Sequence, residues 1–252
     1  MYIDIEKAKR EFLNYTNSFD TSDPNINRKM HHSIRVMEVS KEIAISLNIN
    51  EEDIEIASVI GLLHDIARFE QFTRFHTFND AVSIDHGDYG VQILENDMRK
   101  YIETDKYDDL IKIAIKNHNK FKIENGLTER ELFFSKLVRD ADKIDIIYES
   151  TQYFWEGKED KISKNEFDPN ILNCFYNKQL VNNKNHVVDN DNSSIIRILT
   201  FIFDINFSES YSIIKNNDYI NKFLDRFDMN DNKEIPKLRE FANSFLDSKI
   251  SF

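Results

Sequence analysis

Six residues of this chain have side chains that commonly bind metal ions, and all six lie at or near the ends of predicted helices. The adjacent pair His64-Asp65 closes a long apolar run. A buried imidazole beside a buried carboxylate requires polar partners, and a divalent cation satisfies both groups together. The complete set of candidate ligands is His32, His64, Asp65, His86, His118 and Asp142.

The type of these ligands indicates the type of metal. Four imidazoles and two carboxylates form a mixed nitrogen and oxygen donor set, which suits borderline transition metals better than Mg²⁺ or Ca²⁺. Helix bundles often build such sites from side chains that project from facing helices. The sequence therefore predicts a divalent transition metal, chosen from iron, manganese, zinc, cobalt and nickel.

The last candidate ligand lies in an acidic run, and helical periodicity does not select one acid there. Asp140, Asp142 and Asp145 all fall on the helix predicted for residues 129–148. Asp140 and Asp145 flank its apolar stripe at least as closely as Asp142 does. The spacing alone leaves these three alternatives open.

The elements that must position the ligands are predicted to be helices. Only five Gly and three Pro interrupt 252 residues, which is too few for a fold of strands and turns. Residues 69–80 lack a clear period and are predicted to form an ordered loop near the site, and 156–193 shows few clear elements. Ser193 or Ser194 is predicted to cap the helix that follows. Apolar spacings of three and four predict helices at 5–17, 27–47, 52 to the His-Asp pair, from about 88, 107–118, 129–148, 195–202, 209–227 and 234–248.

Composition also restricts the class of protein. The net charge of −12 argues against a general nucleic-acid or membrane-surface binder. No apolar run approaches the ~20 residues of a membrane span, and the first residues lack the pattern of a secretory signal. The single cysteine, Cys174, excludes an internal disulfide and is predicted to be a buried small hydrophobe. We therefore expect a soluble cytoplasmic protein, which could form an oligomer.

The motif pattern resembles the HD-domain superfamily of metal-dependent phosphohydrolases. The matching residues are His32 in His-Ser-Ile-Arg-Val, the pair in Leu-Leu-His-Asp-Ile-Ala-Arg, and Asp142 in Ala-Asp-Lys-Ile-Asp. The resemblance favours Asp142 because the family's ligand follows a small residue and precedes a basic one. It implies a single all-α domain over 1–252, with an HD metal-binding core at 28–150 and a C-terminal helical extension at 151–252 packed on that core.

The resemblance also implies roles for individual residues. One metal would be held by His32, His64, Asp65 and Asp142, and a second by Asp65, His86 and His118, with Asp65 as the bridge. Asp65 and His64 would belong to the catalytic centre, and Arg68 would contact the substrate phosphate during catalysis. Lys143 and Asp145 would lie on the substrate side. The implied substrate is a small phosphorylated molecule, in particular a nucleotide, attacked by metal-activated water.

Two other functions fit the same ligands. A minority of HD-type folds with two iron atoms are oxygenases, and a metal-binding regulatory module without catalysis is a third possibility. Other enzyme classes are excluded by missing motifs. The chain has no Walker-type phosphate loop, no C-x-x-C zinc pattern and no G-x-S-x-G nucleophile elbow.

Overall fold

A computed structural model of the chain describes residues 3–152, 166–181, 191–227 and 232–250. Within these ranges all regular elements are helical and none is a strand, so the all-α prediction is confirmed. Short 3₁₀ helices lie at Asp80–Val82 and Thr200–Asp204. The α-helices are α1 (Ile5–Thr16), α2 (Pro24–Ser46), α3 (Glu51–Leu63), α4 (Arg68–Phe75), α5 (His86–Tyr101), α6 (Asp108–His118), α7 (Glu129–Gln152), α8 (Pro169–Tyr176), α9 (Asp191–Leu199), α10 (Ser208–Asn216), α11 (Tyr219–Leu224) and α12 (Glu234–Ile250).

The chain forms two compact units, Met1–Asp142 and Lys143–Phe252, and the boundary falls within α7. All six candidate metal ligands belong to the first unit. The single domain with a core at 28–150 remains a prediction. Among the helices of the described residues, none combines the length and the apolar character needed to cross a membrane.

Helices α2 and α3 pack closely because a glycine lies between them. The side chain of Asp23 caps α2, and that of Asn50 caps α3. A Cβ atom built on Gly61 of α3 would lie 2.5 Å from Oγ of Ser40 and 2.8 Å from the backbone oxygen of Val36. The absence of a side chain at Gly61 therefore allows the close contact between the two helices.

A second glycine lies between α5 and α6. The carboxylate of Asp85 caps α5 by accepting hydrogen bonds from the backbone N–H groups of Gly87 and Asp88. A Cβ atom on Gly87 would lie 2.5 Å from Oδ1 of Asn119 and 3.0 Å from the backbone oxygen of Lys116. Because this glycine has no side chain, the beginning of α5 can approach the end of α6.

The prediction of a loop at residues 69–80 is wrong for its first half. Residues Arg68–Phe75 form α4, which ends at His76 in the left-handed conformation, with φ of 52°. This helix has only two turns, so its sequence shows too few repeats for a period to be recognised. Its buried residues are Phe69 and Gln71, an apolar and a polar side chain. Residues after His76 include the short 3₁₀ helix at Asp80–Val82.

The second unit contains further corrections. Helix α9 begins at Asp191, so Ser193 and Ser194 lie inside its first turn and do not cap it. The helix predicted at 209–227 is divided into α10 and α11 at Asp218, whose φ is 57°. In the segment predicted to have few elements, α8 forms at Pro169–Tyr176 and contains the buried Cys174. The remaining residues of that segment include 156–165 and 182–190, which lie outside the described ranges.

Candidate metal centre

The first group of ligands combines residues from α2, α7 and the turn after α3. Nε2 of His32 lies 3.2 Å from Nε2 of His64 and 3.2 Å from Oδ1 of Asp142. Oδ2 of Asp65 lies 3.5 Å from each of these two imidazole nitrogens. Four donor atoms from separated parts of the sequence therefore lie close together, and the two histidines and Asp65 are almost fully buried.

The second group combines the two remaining histidines with the same aspartate. Nε2 of His86 lies 3.0 Å from Nε2 of His118. Oδ1 of Asp65 lies 3.4 Å from the first of these nitrogens and 3.5 Å from the second. The two carboxylate oxygens of Asp65 thus face different groups, Oδ2 towards the first and Oδ1 towards the second.

The protonation of three imidazoles follows from their outer hydrogen bonds. Nδ1 of His64 lies 2.7 Å from the carbonyl oxygen of Gly61, and Nδ1 of His118 lies 2.6 Å from that of Ile115. A carbonyl oxygen can only accept, so each Nδ1 carries the proton. Nδ1 of His86 likewise donates to the carboxylate of Asp80, at 2.6 Å. In the neutral rings, Nε2 therefore carries a lone pair directed into the site.

This arrangement fits a metal ion. Two unprotonated Nε2 atoms 3.0 Å apart repel each other, and a cation between them removes the repulsion. Ligands about 2.1 Å from one ion lie roughly 3.0 Å apart at octahedral angles and roughly 3.4 Å apart at tetrahedral angles. The separations across the two groups run from 3.0 to 3.6 Å, close to these two values. His32, His64 and Asp142 could therefore hold one ion, and His64, Asp65 and His118 also form a possible ligand set.

Burial and neighbouring charge shift the pKa values of His64, His86 and Asp65 towards the forms that bind metal. Burial lowers the pKa of His64, and burial together with the charge of Arg68 lowers the pKa of His86 to about 3, against the opposing effect of Asp80. Burial alone would raise the pKa of Asp65, but the Lys29 ammonium and the adjacent imidazoles hold it well below its usual range. Neutral imidazoles and ionised carboxylates are the states required for coordination.

Sequence reasoning missed Lys29, which contacts Asp65. Its Nζ atom lies 2.7 Å from Oδ2 of Asp65, and its side chain is only 13% exposed. Lys29 precedes His32 by three residues, so both side chains lie on the same side of α2. The spacing of Lys29 and His32 in the sequence could therefore have predicted a cation next to the candidate ligands.

Arg68 lies at the site but is bonded mainly to the protein. Its Nη1 donates to Oε1 of Gln71, to the backbone oxygen of Phe78 and to Oδ1 of Asp80, at 2.7, 2.7 and 3.0 Å. Its Nε lies 3.4 Å from Oδ1 of Asp65. Arg68 thus contacts both the segment after α4, at Phe78 and Asp80, and the candidate ligand Asp65. Its contact with a substrate phosphate remains a prediction.

Sequence reasoning also missed Asp80 and Asn119. Oδ2 of Asp80 accepts from Nδ1 of His86 and from Nδ2 of Asn119, the latter at 3.2 Å. Nδ2 of Asn119 also donates to Oδ1 of Asp85 at 2.9 Å. Asn119 directly follows the candidate ligand His118, whereas Asp80 lies in the segment that the sequence predicts to be a loop. No periodicity marked Asp80, since it belongs to a 3₁₀ helix of three residues.

The remaining candidates lie further along α7. Among the three acids left open by periodicity, Asp142 places Oδ1 close to His32 and His64, at 3.2 and 3.6 Å. Asp140 is fully buried. Lys143 and Asp145 belong to the second unit and are buried, and Nζ of Lys143 lies 2.9 Å from Oδ2 of Asp204 there. Their contacts with substrate remain predictions.

The all-α fold with a buried group of histidines and aspartates is typical of one class of helical proteins, those whose packed helices hold metal ions. Within this class, a model of the HD domain family matches residues 30–147. This match identifies an HD domain in residues 30–147, which contain all six candidate ligands, and it is consistent with the HD-domain superfamily. No curated protein and no solved structure gives a significant match to the chain.

Proposed function

We propose that the protein is a metal-dependent phosphohydrolase that cleaves a phosphoester of a small molecule, in particular a nucleotide. The observation that carries this proposal is the position of Asp65. One of its oxygens faces His32 and His64, and the other faces His86 and His118. A carboxylate shared in this way fits a two-metal centre of the kind that supports phosphoester hydrolysis.

The proposed assignment of ligands follows the two groups. One ion would be held by His32, His64, Asp142 and Oδ2 of Asp65. A second would be held by His86, His118 and Oδ1 of Asp65. When bound, the ions would supply an activated water and polarise the phosphoryl oxygens of the substrate. The second group has three protein ligands, which leaves coordination positions for water or substrate.

The protein's own charges around the centre also support an anionic substrate. Lys29 and Arg68 both lie within ion-pair distance of Asp65, although the chain as a whole carries a net charge of −12. The ring of Phe78 lies 5.7 Å from Nζ of Lys29 and 5.6 Å from the guanidinium carbon of Arg68. It also lies 5.9 Å from that of Arg28. A local group of three cations in an acidic protein favours binding of a phosphorylated molecule.

The proposal is tested by phosphate release from a panel of nucleotides and other phosphoesters, with Mn²⁺, Co²⁺, Ni²⁺, Zn²⁺ or Fe²⁺ added to the metal-depleted protein. We expect metal-dependent turnover of at least one substrate. His32→Ala should abolish turnover and the binding of the first ion, while His31→Ala should change neither. His31 is the matched control because it is the preceding residue of α2 and its side chain is exposed.

Two results would contradict the proposal. Turnover retained in His32→Ala would show that the ligands are misassigned. Strict dependence on O₂ with a di-iron centre, and no phosphate release, would instead support the oxygenase that these imidazole and carboxylate ligands also suit. Elemental analysis of the purified protein, followed by the assay under anaerobic conditions, separates these two functions.

A further inference from the structure

Asp80 accepts hydrogen bonds from several side chains around the second group of ligands. Its Oδ2 accepts from Nδ1 of His86 at 2.6 Å and from Nδ2 of Asn119 at 3.2 Å. Its Oδ1 accepts from Nη1 of Arg68 at 3.0 Å and from Nε2 of Gln71 at 2.9 Å. One carboxylate therefore connects α4, the beginning of α5 and the end of α6.

His86 depends on this carboxylate in a way that two other imidazoles of the centre do not. Nδ1 of His64 and Nδ1 of His118 each donate to a backbone carbonyl three residues earlier, so their own helices orient the rings. His86 is the first residue of α5, and no preceding helical turn offers it a carbonyl. Its Nδ1 instead donates to a side chain from a separate segment.

Asp80 is itself held in place by its neighbours. The buried Gln71 donates through Nε2 to Oδ1 of Asp80, to Oγ of Ser83 and to the backbone oxygen of Ile84, each at 2.9 Å. Arg68 binds the same Oδ1 and the backbone oxygen of Phe78. The short segment that carries Asp80 is thereby fixed from α4, so the direction of its carboxylate is determined before any metal binds.

We propose that Asp80 is the positioning residue of the second group of ligands. Its carboxylate orients Nε2 of His86 and thereby sets the affinity for the second metal ion but not that for the first. A carboxylate behind a metal-binding histidine fixes the ring and raises its basicity as a ligand. The first group does not include His86, so the first ion keeps its ligands when Asp80 is changed. This inference rests on the proposed two-metal centre but not on the reaction.

The test is titration of the metal-depleted protein with Co²⁺, followed by calorimetry and by the visible absorption of the bound ion. Wild-type protein is expected to bind two equivalents. In Asp80→Ala, the dissociation constant of the second equivalent should rise about 10- to 100-fold while that of the first is unchanged. Asp80→Asn keeps an acceptor oxygen and should give an intermediate value. His118→Ala, which removes a ligand of the same group, should also lose the second equivalent.

The matched control is Asp88→Asn, which removes a carboxylate from the first turn of the same helix. Asp88 pairs with Lys120 at 2.9 Å, so its loss should leave both equivalents unchanged. The proposal is overturned if wild-type protein binds one equivalent only, or if Asp80→Ala and Asp80→Asn bind both as tightly as wild type. Equal weakening of both equivalents in Asp80→Asn with an unchanged helical circular dichroism spectrum would also overturn it. Two equivalents without phosphate release would contradict the hydrolase proposal alone.

Discussion

The ammonium group of Lys29 lies 2.7 Å from Oδ2 of Asp65, the same oxygen that faces His32 and His64. In the metal-free protein the Lys29 ammonium compensates the negative charge of the buried Asp65 carboxylate. Metal ions bound at the centre would supply additional positive charge beside the Asp65 carboxylate. The stability of the metal-free protein and its response to metal are therefore linked through Lys29.

Replacing Lys29 with methionine should destabilise the metal-free protein and increase its response to metal. The change leaves a buried carboxylate without its ammonium partner, which costs up to about 3–5 kcal/mol. The melting temperature in EDTA should fall, and added Mn²⁺ should raise it by more than in wild type. Lys7→Met is the control, because Lys7 forms an exposed pair with Glu103 and should have little effect. An equal response to metal in both variants would contradict this role.

Gly87→Ala should weaken the contact between α5 and α6. The added methyl group would lie 2.5 Å from Oδ1 of Asn119 and 3.0 Å from the backbone oxygen of Lys116, and overpacking of this kind costs roughly 1–3 kcal/mol. Because Gly87 follows His86, the second equivalent of Co²⁺ should also bind more weakly. Calorimetric melting and metal titration measure the two effects.

The control for Gly87 lies one helical turn later. A methyl group at Gly90 meets its nearest neighbour, Cγ2 of Ile115, at the ordinary distance of 3.4 Å. Gly90→Ala should therefore be neutral or stabilise the protein by up to about 1 kcal/mol, since alanine favours the helix. A larger loss of stability in Gly90→Ala than in Gly87→Ala would refute the argument from close approach.

Arg139→Met should loosen the end of α6, where His118 lies. The buried Arg139 donates through Nη1 to the backbone oxygens of Asn117, His118 and Lys120. Removing this donor costs roughly 1–3 kcal/mol for each carbonyl left unsatisfied. The midpoint of urea unfolding should therefore fall clearly.

Arg130→Met provides the comparison for Arg139, since Arg130 lies on the same helix. It forms an exposed ion pair with Asp53, and such pairs contribute at most about 1 kcal/mol. Its midpoint in urea should remain close to that of wild type. Equal midpoints for the two variants would show that the carbonyl contacts of Arg139 contribute little.

The metal-free protein should lose stability as the pH falls from neutral. The folded-state pKa of His86 is lowered to about 3 from its ordinary value of 6.5, so between these values the unfolded state binds more protons. Stability then rises with pH across this window, and acidification removes up to about 1.4 kcal/mol per pH unit for this residue. His64 acts in the same direction, because burial lowers its pKa too.

Melting temperatures in EDTA between pH 7.5 and pH 5 measure this effect. A flat profile, or a melting temperature that increases towards pH 5, would contradict the lowered pKa values of His86 and His64. The exposed His76 provides a control, since His76→Gln should retain the slope of wild type. His86→Gln should have a shallower slope, because the residue that takes up a proton only on unfolding has been removed.

The sequence predicted most helices because their apolar residues repeat with the helical period. It failed for α4, which has two turns and buries the polar Gln71 together with Phe69. It also failed at Asp218, where a left-handed residue divides one apolar pattern into two helices. Both errors have the same origin, since periodicity needs several turns and does not detect a local change of backbone direction.

The sequence by itself determined the residue types of the centre and the helices that carry them, because both depend on local spacing. Helical periodicity could not choose among Asp140, Asp142 and Asp145, for which only the resemblance to the HD-domain superfamily favours Asp142, and it did not identify Lys29 or Asp80. The contacts of Lys29 and Asp80 depend on how the helices are rotated and how closely they approach, which only the tertiary structure decided. The contacts at Gly61 and Gly87 bring the helices together, and side chains 36 residues apart, such as Lys29 and Asp65, then meet. Helical periodicity identifies the buried face of each helix but does not specify which atoms of two buried faces meet.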